Sequence, residues 1–372
     1  MGAEKQLFIL GTRGVPASHG GFEAFAEALA LYLVGRGWKV TVYCQEEGRA
    51  GVRKASWCGV NQVVIPVHLK GAPGSLLFDL KSVWHGLSRQ GIFLLLGYNS
   101  ALFNLLQRLR RQVLLINMDG IEWRRDKWGP LAKAWFWLNE RIGCWVGSHL
   151  VADHPSIKEH LASRVRKSKI TMIPYGADEI LEADATLLEP FGLEPDRYSL
   201  VVARPEPENS LLEIVSAFSS QRRDHRLVVL GRLEPERNRY HRRVMAAASS
   251  EVMFPGAIYE APVVQALRFF SRLYLHGHRV GGTNPSLVEA MGCGCAVLAH
   301  DNPFNRWVAA GGATYFQDEQ ECSQLLSILL ESDAKVRELA EKSRQRFRER
   351  FTWDRVLAEY EALLLKWYPE GE

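Results

Sequence analysis

Short apolar runs alternate with amphipathic segments along most of the chain. Residues 6–10 form an apolar run that ends at Gly11, and residues 23–34 then carry apolar side chains at helical spacing. This order predicts a strand, a loop and a helix. Similar runs predict further strands at residues 38–44, 63–67, 92–96, 113–116, 198–203, 226–230, 273–275 and 296–299. The repeated order of strand and helix predicts an α/β fold with open parallel sheets.

Two domains are expected from this pattern. The order of strand and helix lapses at residues 175–189 and starts afresh at residue 198. We therefore predict two Rossmann-like, doubly wound parallel-sheet domains that face each other across a cleft, with ligands at the carboxyl ends of the strands. The predicted bounds are residues 1–180 and 181–350, followed by a C-terminal helix in 351–372 that packs back on the first domain.

The composition is that of an ordinary globular protein. The chain has 372 residues, of which 47% are hydrophobic and 24% are charged. Its six cysteines include no CxxC pair and no zinc-type spacing with histidine, which favours a reducing, cytoplasmic compartment without disulfides or a structural metal. No apolar run reaches the roughly 18 residues of a membrane span, and the run at residues 7–10 is too short for a secretory signal.

The most informative segment comprises residues 276–299. In it a glycine pair, Gly281 and Gly282, runs through Asn284 into a predicted helix. Unpaired backbone N–H groups at a helix N-terminus bind a diphosphate without a metal. Glu289 falls one turn into that helix, where its carboxylate is placed to accept hydrogen bonds from ribose hydroxyls. A helix cap followed by a tight turn explains the glycine-rich part equally well, but the whole string is more specific than that.

This segment is similar to the donor-binding signature of the retaining GT-B glycosyltransferases of family 4. Three motifs, at residues 11–23 (GTRGVPASHGGFE), 117–128 (NMDGIEWRRDKW) and 277–284 (GHRVGGTN), resemble more narrowly the bacterial branch that contains β-1,4-rhamnosyltransferases of cell-wall and capsular polysaccharide assembly. The resemblance spans nearly the whole chain. It implies an acceptor-binding domain in residues 1–180 and a nucleotide-sugar-binding domain in residues 181–350.

The resemblance also implies roles for single residues. Glu289 matches the second glutamate of the family's paired-glutamate motif, which holds the donor ribose, but Gly281 stands where the first glutamate is expected. Arg204 matches the arginine that neutralises the diphosphate leaving group, whereas Asn209 occupies the lysine position. Backbone N–H groups or His278 are left to contact the sugar. The implied donor-binding set is Gly14, Arg204, Asn209, His278, Gly281, Gly282, Thr283, Asn284, Ser286 and Glu289.

Carboxylates follow a predicted strand of the first half. Asp119 and Glu122 come directly after the strand at residues 113–116, where a carboxylate suits a base that acts on an acceptor hydroxyl. A turn at Asp119 and a helix cap by Glu122 are the alternative. The loop at residues 14–22 lacks GxGxxG spacing, which disfavours NAD binding. The candidate catalytic residues are Asp119, Glu122 and Arg204, and the candidate acceptor-binding residues are Gly20, Gly21, Tyr98, Asn99 and Trp123.

Tryptophans and cations are interleaved over residues 123–137. This mixture is typical of a helix that lies on an anionic bilayer. Residues 1–180 carry a net charge of +9 and the rest of the chain −5, for a total of +4. Nearby cations are Arg108, Arg110 and Arg111. The alternative is a core helix whose inward residues are Trp135, Phe136 and Leu138.

These observations predict a cytoplasmic glycosyltransferase, peripheral on the inner face of the cell membrane, that uses no metal and no cofactor besides its nucleotide-sugar donor. The resemblance implies transfer of L-rhamnose from dTDP-β-L-rhamnose to a GlcNAc-type, lipid-linked saccharide with retention of configuration. The expected partners are the donor, this acceptor and an anionic membrane, and not nucleic acid. Two alternatives stay open: a sugar-nucleotide epimerase on the same scaffold, and an inactive nucleotide-sugar-binding assembly subunit, which Gly281 and Asn209 would favour.

Overall fold

The computed structural model describes residues 5–18 and 20–368 and divides the chain into two compact units. Unit 1 comprises Met1–Pro174 and Trp353–Glu372, and unit 2 comprises Tyr175–Thr352. These bounds lie a few residues from the predicted ones. His19 of the glycine-rich loop and residues 369–372 of the expected C-terminal helix lie outside the described residues.

The elements alternate between strand and helix in both units, as predicted. The strands are β1 (Gln6–Leu10), β2 (Lys39–Glu47), β3 (Arg53–Trp57), β4 (Val60–Val67), β5 (Ile92–Leu96), β6 (Val113–Asn117), β7 (His149–Ala152), β8 (Ile170–Met172), β9 (Tyr198–Val202), β10 (Arg226–Leu230), β11 (Val252–Gly256), β12 (Leu273–His276), β13 (Val297–His300) and β14 (Ala313–Phe316). The α-helices are α1 (Gly21–Gly35), α2 (Gly71–Gly86), α3 (Leu105–Leu109), α4 (Pro130–Val146), α5 (Pro155–Ala162), α6 (Leu211–Ser219), α7 (Arg239–Ala246), α8 (Ala261–Phe269), α9 (Pro285–Gly292), α10 (Pro303–Ala309), α11 (Glu319–Leu330), α12 (Asp333–Arg350) and α13 (Trp353–Trp367).

Unit 1 is built on an eight-stranded sheet with the order β3-β4-β2-β1-β5-β6-β7-β8. The central strand β5 is buried along its whole length, because helices cover both faces of a parallel sheet and its sequence is a continuous apolar run. The chain moves outward in one direction from β1 to β2 and in the other from β1 to β5. Ligands of such sheets bind at this point of reversal, beyond the carboxyl ends of the strands.

One strand of unit 1 departs from the predicted all-parallel arrangement. β3 pairs antiparallel with β4 and forms the edge of the sheet. The hairpin turn consists of Cys58 and Gly59, both with positive φ (48° and 82°), as a tight two-residue turn between twisted strands requires. The apolar pattern missed β3 because its residues are mostly exposed or half-buried.

Unit 2 contains a six-stranded sheet with the order β11-β10-β9-β12-β13-β14. Every neighbouring pair runs parallel. Its point of reversal lies between β9 and β12, which are hydrogen-bonded neighbours. The loops that begin at residues 203 and 277 therefore leave the same edge of the sheet side by side.

The C-terminal helix α13 is part of unit 1 although it follows unit 2 in sequence. The Tyr360 hydroxyl accepts a hydrogen bond from Asn117 Nδ2 at 2.9 Å, and the rings of Tyr360 and Phe25 lie 4.7 Å apart. The Trp38 indole N–H donates to Glu361 at 3.2 Å. Among the residues that the structure describes, no helix is long and apolar enough to cross a bilayer.

Two adjacent leucines of α13 provide a matched test of this packing. Leu364 is fully buried, whereas Leu365 is 42% exposed. We expect Leu364→Ala to lower the free energy of unfolding by about 2–5 kcal/mol, because it leaves a cavity in unit 1. Leu365→Ala should change it by less than about 1 kcal/mol. Urea unfolding followed by circular dichroism measures both, and equal small effects would show that α13 does not contribute to the core.

Candidate functional site

The loops after β9 and β12 meet at the point of reversal of the unit 2 sheet. A Cβ at Gly277 would lie 2.2 Å from the Asn209 carbonyl oxygen, so only glycine permits this approach. The Arg279 N–H donates to the Glu208 carbonyl at 2.9 Å, and its guanidinium donates to the Pro207 carbonyl at 3.0 Å. The structure thus brings together two segments that are about seventy residues apart in sequence.

Asn209 connects these two loops through its side chain. Its Nδ2 donates to the Arg204 carbonyl at 2.7 Å, and its Oδ1 lies 2.6 Å from His278 Nδ1. Because the amide nitrogen is used by Arg204, the oxygen accepts from His278, so Nδ1 carries the imidazole proton. The His278 carbonyl accepts from Asn302 and Asn305 at 3.0 and 2.9 Å. Asn209 therefore fixes the backbone at Arg204 and the ring of His278 together.

The backbone after His278 offers unpaired donors. Gly281 has φ of +101°, which residues with a side chain rarely adopt. The backbone N–H groups of Val280, Gly281 and Gly282 make no hydrogen bond within the described part of the chain, and all three residues are half-buried. Successive free amides in a glycine-rich turn form an anion-binding site. This geometry also accounts for the absence of a glutamate at position 281.

The start of α9 is stabilised by its own side chains. The Asn284 side chain caps the helix by accepting from the Ser286 N–H at 3.0 Å, so this part of the capping interpretation is confirmed. The Ser286 hydroxyl donates to the Val202 carbonyl at 3.1 Å and also contacts the Tyr274 hydroxyl at 2.7 Å and Arg268 Nη2 at 3.2 Å. Both polar groups of Ser286 are therefore engaged internally, which argues against its predicted contact with a ligand.

Glu289 points one oxygen at a buried cation. Arg268 Nη2 lies 2.5 Å from Glu289 Oε2, and the Arg268 side chain is buried while that of Glu289 is 36% exposed. Burial lowers the pKa of Arg268, but Glu289 together with Tyr274, Cys293 and Cys295 outweighs this effect, and the net change in the pKa is upward. Burial, together with the charge of Glu289, raises the pKa of the nearby Asp178. Glu289 is thus a positioned carboxylate that remains accessible to a ligand.

Arg268 was not predicted from the sequence. It is a single cation near the end of the apolar segment 261–270, and a buried cation requires an anionic partner. This need for an anionic partner could have identified Arg268 as a candidate site residue from the sequence. Arg204, which was predicted, is exposed, and its guanidinium makes no ion pair or hydrogen bond within the described residues.

A neighbouring histidine is neutral. Burial, with a smaller contribution from His300, lowers the pKa of His276 to about 3. His276 therefore adds no charge to the strand end from which the loop of His278 leaves.

The glycine-rich loop of unit 1 is folded tightly on its own sheet. A Cβ at Gly14 would lie 2.8 Å from the Cys44 side chain, so Gly14 is required for packing. Two carboxylates of α1, Glu23 and Glu27, accept hydrogen bonds from backbone N–H groups of the loop, those of residues 13 and 17. Gly20 has φ of +104° and precedes α1, which begins at Gly21. The predicted roles of these three glycines in ligand binding stay predictions.

The ends of β5 and β6 bring Tyr98, Asp119 and Glu122 together. The Glu122 N–H donates to the Tyr98 hydroxyl at 2.9 Å, and burial raises the pKa of Tyr98. Arg125 Nη1 and Trp128 Nε1 donate to the two Glu122 oxygens at 2.5 and 3.0 Å. Because Glu122 is buried and both oxygens are engaged, it is poorly suited to act as a base. It does not cap a helix either.

Asp119 is the better placed of the two carboxylates. It is half-buried and has φ of +50°, a conformation that aspartate tolerates better than most residues. Its N–H donates to Asn117 Oδ1 at 3.0 Å. Of the other candidates, exposed Asn99 uses its carbonyl to accept from Trp135 Nε1 at 2.8 Å, and Trp123 Nε1 donates to Glu140 at 2.8 Å.

Two known protein families match parts of this chain. Residues 211–362 match the family described as glycosyl transferase-like, and residues 4–178 match a domain of unknown function, DUF1972. A search of curated protein sequences gives no match.

Several solved structures share the fold over nearly the whole chain. Sucrose-phosphate synthase from Thermosynechococcus elongatus has a TM-score of 0.81 at 14% identity, covering 98% of this chain and 99% of that one. HepE from Anabaena in complex with UDP has a TM-score of 0.74 at 14% identity, covering 97% and 100%. The trehalose 6-phosphate synthase of Burkholderia multivorans has 0.73 at 11%, covering 98% and 96%. The predicted GT-B fold is confirmed.

The internal pairing of Glu122 makes a prediction about stability. We expect Glu122→Gln to lower the free energy of unfolding by about 2–3 kcal/mol, because the half-buried Arg125 loses its ion pair with the buried Glu122 carboxylate. The control is Glu359→Gln in an exposed pair with Arg355, which should cost less than about 1 kcal/mol. Urea unfolding measures both variants. Unchanged stability of Glu122→Gln with strongly reduced sugar transfer would instead make Glu122 a catalytic residue.

Proposed function

We propose that this protein is a retaining glycosyltransferase that moves L-rhamnose from dTDP-β-L-rhamnose to a GlcNAc-type sugar on a lipid carrier. The glycosyl transferase-like family match of residues 211–362 supports sugar transfer. The motifs at residues 11–23, 117–128 and 277–284 support the rhamnosyltransferase branch and, with it, the donor sugar, the retained configuration and the lipid-linked acceptor.

The donor is proposed to bind at the point of reversal of the unit 2 sheet. Similar solved structures of HepE hold UDP and UDP-glucose. In this chain the free amides of Gly281 and Gly282 and the exposed guanidinium of Arg204 supply donors for two phosphates. Glu289, held by Arg268, accepts hydrogen bonds from the ribose. The free amides are the single observation on which this proposal depends most.

His278 is proposed to compensate for the lysine that Asn209 replaces. Asn209 holds His278 with the proton on Nδ1. The other ring nitrogen, Nε2, lies 3.3 Å from the position that a Cβ at Gly281 would occupy. The His278 ring therefore lies beside the turn that carries the free amides, where the leaving group develops negative charge.

In the transfer step the bond between the anomeric carbon and the diphosphate oxygen breaks, and the acceptor oxygen forms a bond to the same carbon. We propose that attack occurs on the face from which the diphosphate leaves, which retains the configuration. The proton of the acceptor hydroxyl passes to a phosphate oxygen of the leaving group. Asp119, rather than the internally paired Glu122, is the proposed carboxylate that orients the acceptor or stabilises the positive charge on the sugar.

The proposed donor site predicts the behaviour of two variants. Arg204→Ala should slow transfer about 100-fold or more, because it removes a charge-assisted contact to the leaving group. Glu289→Ala should weaken donor binding about 10-fold to 100-fold through the loss of hydrogen bonds to a charged acceptor. Transfer of labelled sugar to a water-soluble acceptor and calorimetric donor titration measure these effects.

Arg222→Ala is the matched control for Arg204→Ala, because the Arg222 side chain is 84% exposed and pairs with Asp224 two residues away. It should retain full transfer. Normal transfer by both site variants would show that the donor lies elsewhere. Donor binding without transfer by the parent chain would favour the inactive assembly subunit, and a changed sugar without acceptor would favour the epimerase.

A further inference from the structure

Helix α4 exposes large apolar residues although it buries two polar ones, Asn139 and Glu140. Leu131, Leu138 and Trp145 recur every seven residues and therefore share one side of the helix. Their exposed fractions are 89%, 43% and 60%. This arrangement excludes the core-helix alternative, which required Leu138 to point inward. Large contiguous apolar surfaces of this kind usually mark an interaction site.

Hydrogen bonds fix the orientation of α4. Asn139 is fully buried, and its side chain accepts from the Leu102 N–H at 2.9 Å. Glu140 is also buried and accepts from Trp123 Nε1 at 2.8 Å and from His160 Nε2 at 3.0 Å. Burial opposes ionisation of Glu140, but the bonds from His160 and Trp123 lower its pKa. Rotation of α4 to bury its leucines would break all these contacts, so the apolar side stays exposed.

Cations border the apolar side of α4. The Arg141 guanidinium lies 3.4 Å from the centre of the Trp137 ring, and Arg108 of α3 lies 5.5 Å from the centre of the Trp145 ring. The contact between Arg108 and Trp145 places the end of α3 beside the C-terminal end of α4. Leu109, the last residue of α3, is 79% exposed there. Tryptophan rings paired with cations are suited to the headgroup level of a bilayer.

The charge of this surface has one sign. Residues 105–118 and 130–146 contain five cations, and Glu140, their single acid, is buried. The nearby exposed acid Asp126 lies 3.7 Å from Lys133. No exposed acid therefore lies on α3 or α4, and the net positive charge of the two helices is complementary to anionic lipid headgroups.

We propose that Leu109, Leu131, Leu138 and Trp145, here called the α4 face, dock this protein onto an anionic membrane. The leucines enter the boundary between headgroups and acyl chains, while Arg108 and Arg141 contact phosphates. This inference deepens the proposed function and rests on its lipid-linked acceptor, which the docked unit 1 would meet at the membrane surface.

A lipid surface fits better than a second copy of the chain. In a two-fold dimer the same patch faces itself. Arg108 and Arg141 would then approach their own copies with no exposed acid on α3 or α4 to neutralise them, which is unfavourable.

Sedimentation of the full chain with vesicles tests the proposal without donor or acceptor, so its outcome is independent of sugar transfer. The chain should bind vesicles of phosphatidylcholine with phosphatidylglycerol at low ionic strength. Binding should weaken in about 1 M salt, where the Debye length is about 3 Å. Vesicles of phosphatidylcholine alone should bind more weakly.

The double variant Leu131→Gln and Leu138→Gln should bind the anionic vesicles at least about tenfold more weakly. Leu181→Gln, at a 64% exposed leucine of unit 2, is the matched control and should bind like the parent. Trp145→Ser provides a second, independent variant with the same expected direction. Circular dichroism and transfer to a water-soluble acceptor establish that each variant is folded.

Three results would overturn the proposal. The parent chain fails to sediment with anionic vesicles at low ionic strength, or both the double variant and Trp145→Ser bind as well as the parent. The third is a dimeric parent in solution that the double variant converts to a monomer, since the α4 face would then be a self-interface.

Discussion

The proposed donor site of unit 2 depends on one close approach between two loops. Gly277 allows the backbone after β12 to contact the Asn209 carbonyl, and the side chain of Asn209 then connects Arg204 to His278. This contact occurs where the strand order reverses, the place at which open parallel sheets bind ligands. Because Asn209 already fixes the backbone at His278, the turn at residues 280–282 does not need hydrogen bonds from its own backbone N–H groups to be held in place. A side chain at position 277 would separate the two loops and would thereby disrupt the proposed phosphate site.

The two candidate surfaces differ in which charged side chains have internal partners. In unit 2 a buried arginine, Arg268, holds Glu289 in place, while the Arg204 side chain has no partner among the described residues and stays available to an anionic ligand. In unit 1 the carboxylates Glu122 and Glu140 are both used internally, which fixes the loop after β6 and the orientation of α4. The exposed cations near α4 are left without acidic neighbours on that helix. Internal pairing of acids therefore determines which surfaces remain positive.

Much of the fold could be predicted from the sequence, because strands buried on both faces are continuous apolar runs. Strands β7, β8, β11 and β14, which are short or only partly buried, were not predicted. Strand β3 was missed as well, since it is an exposed edge strand whose best signal was the Cys58-Gly59 turn. For the candidate site, the type and position of the residues could be predicted from the sequence, but their hydrogen-bond and ion-pair partners could not. Glu122 and Ser286 have the right chemistry for ligand binding, yet tertiary contacts engage them. Arg268 was missed because its partner is twenty-one residues away in sequence and adjacent only in the fold.

The central claim is that the amides of Gly281 and Gly282 and the guanidinium of Arg204 bind the diphosphate of a sugar nucleotide. A crystal structure of the chain with dTDP bound tests it most directly. We expect phosphate oxygens about 3 Å from these donors and ribose hydroxyls in contact with Glu289. A nucleotide bound elsewhere, or bound here with both amides turned away from its phosphates, would contradict it.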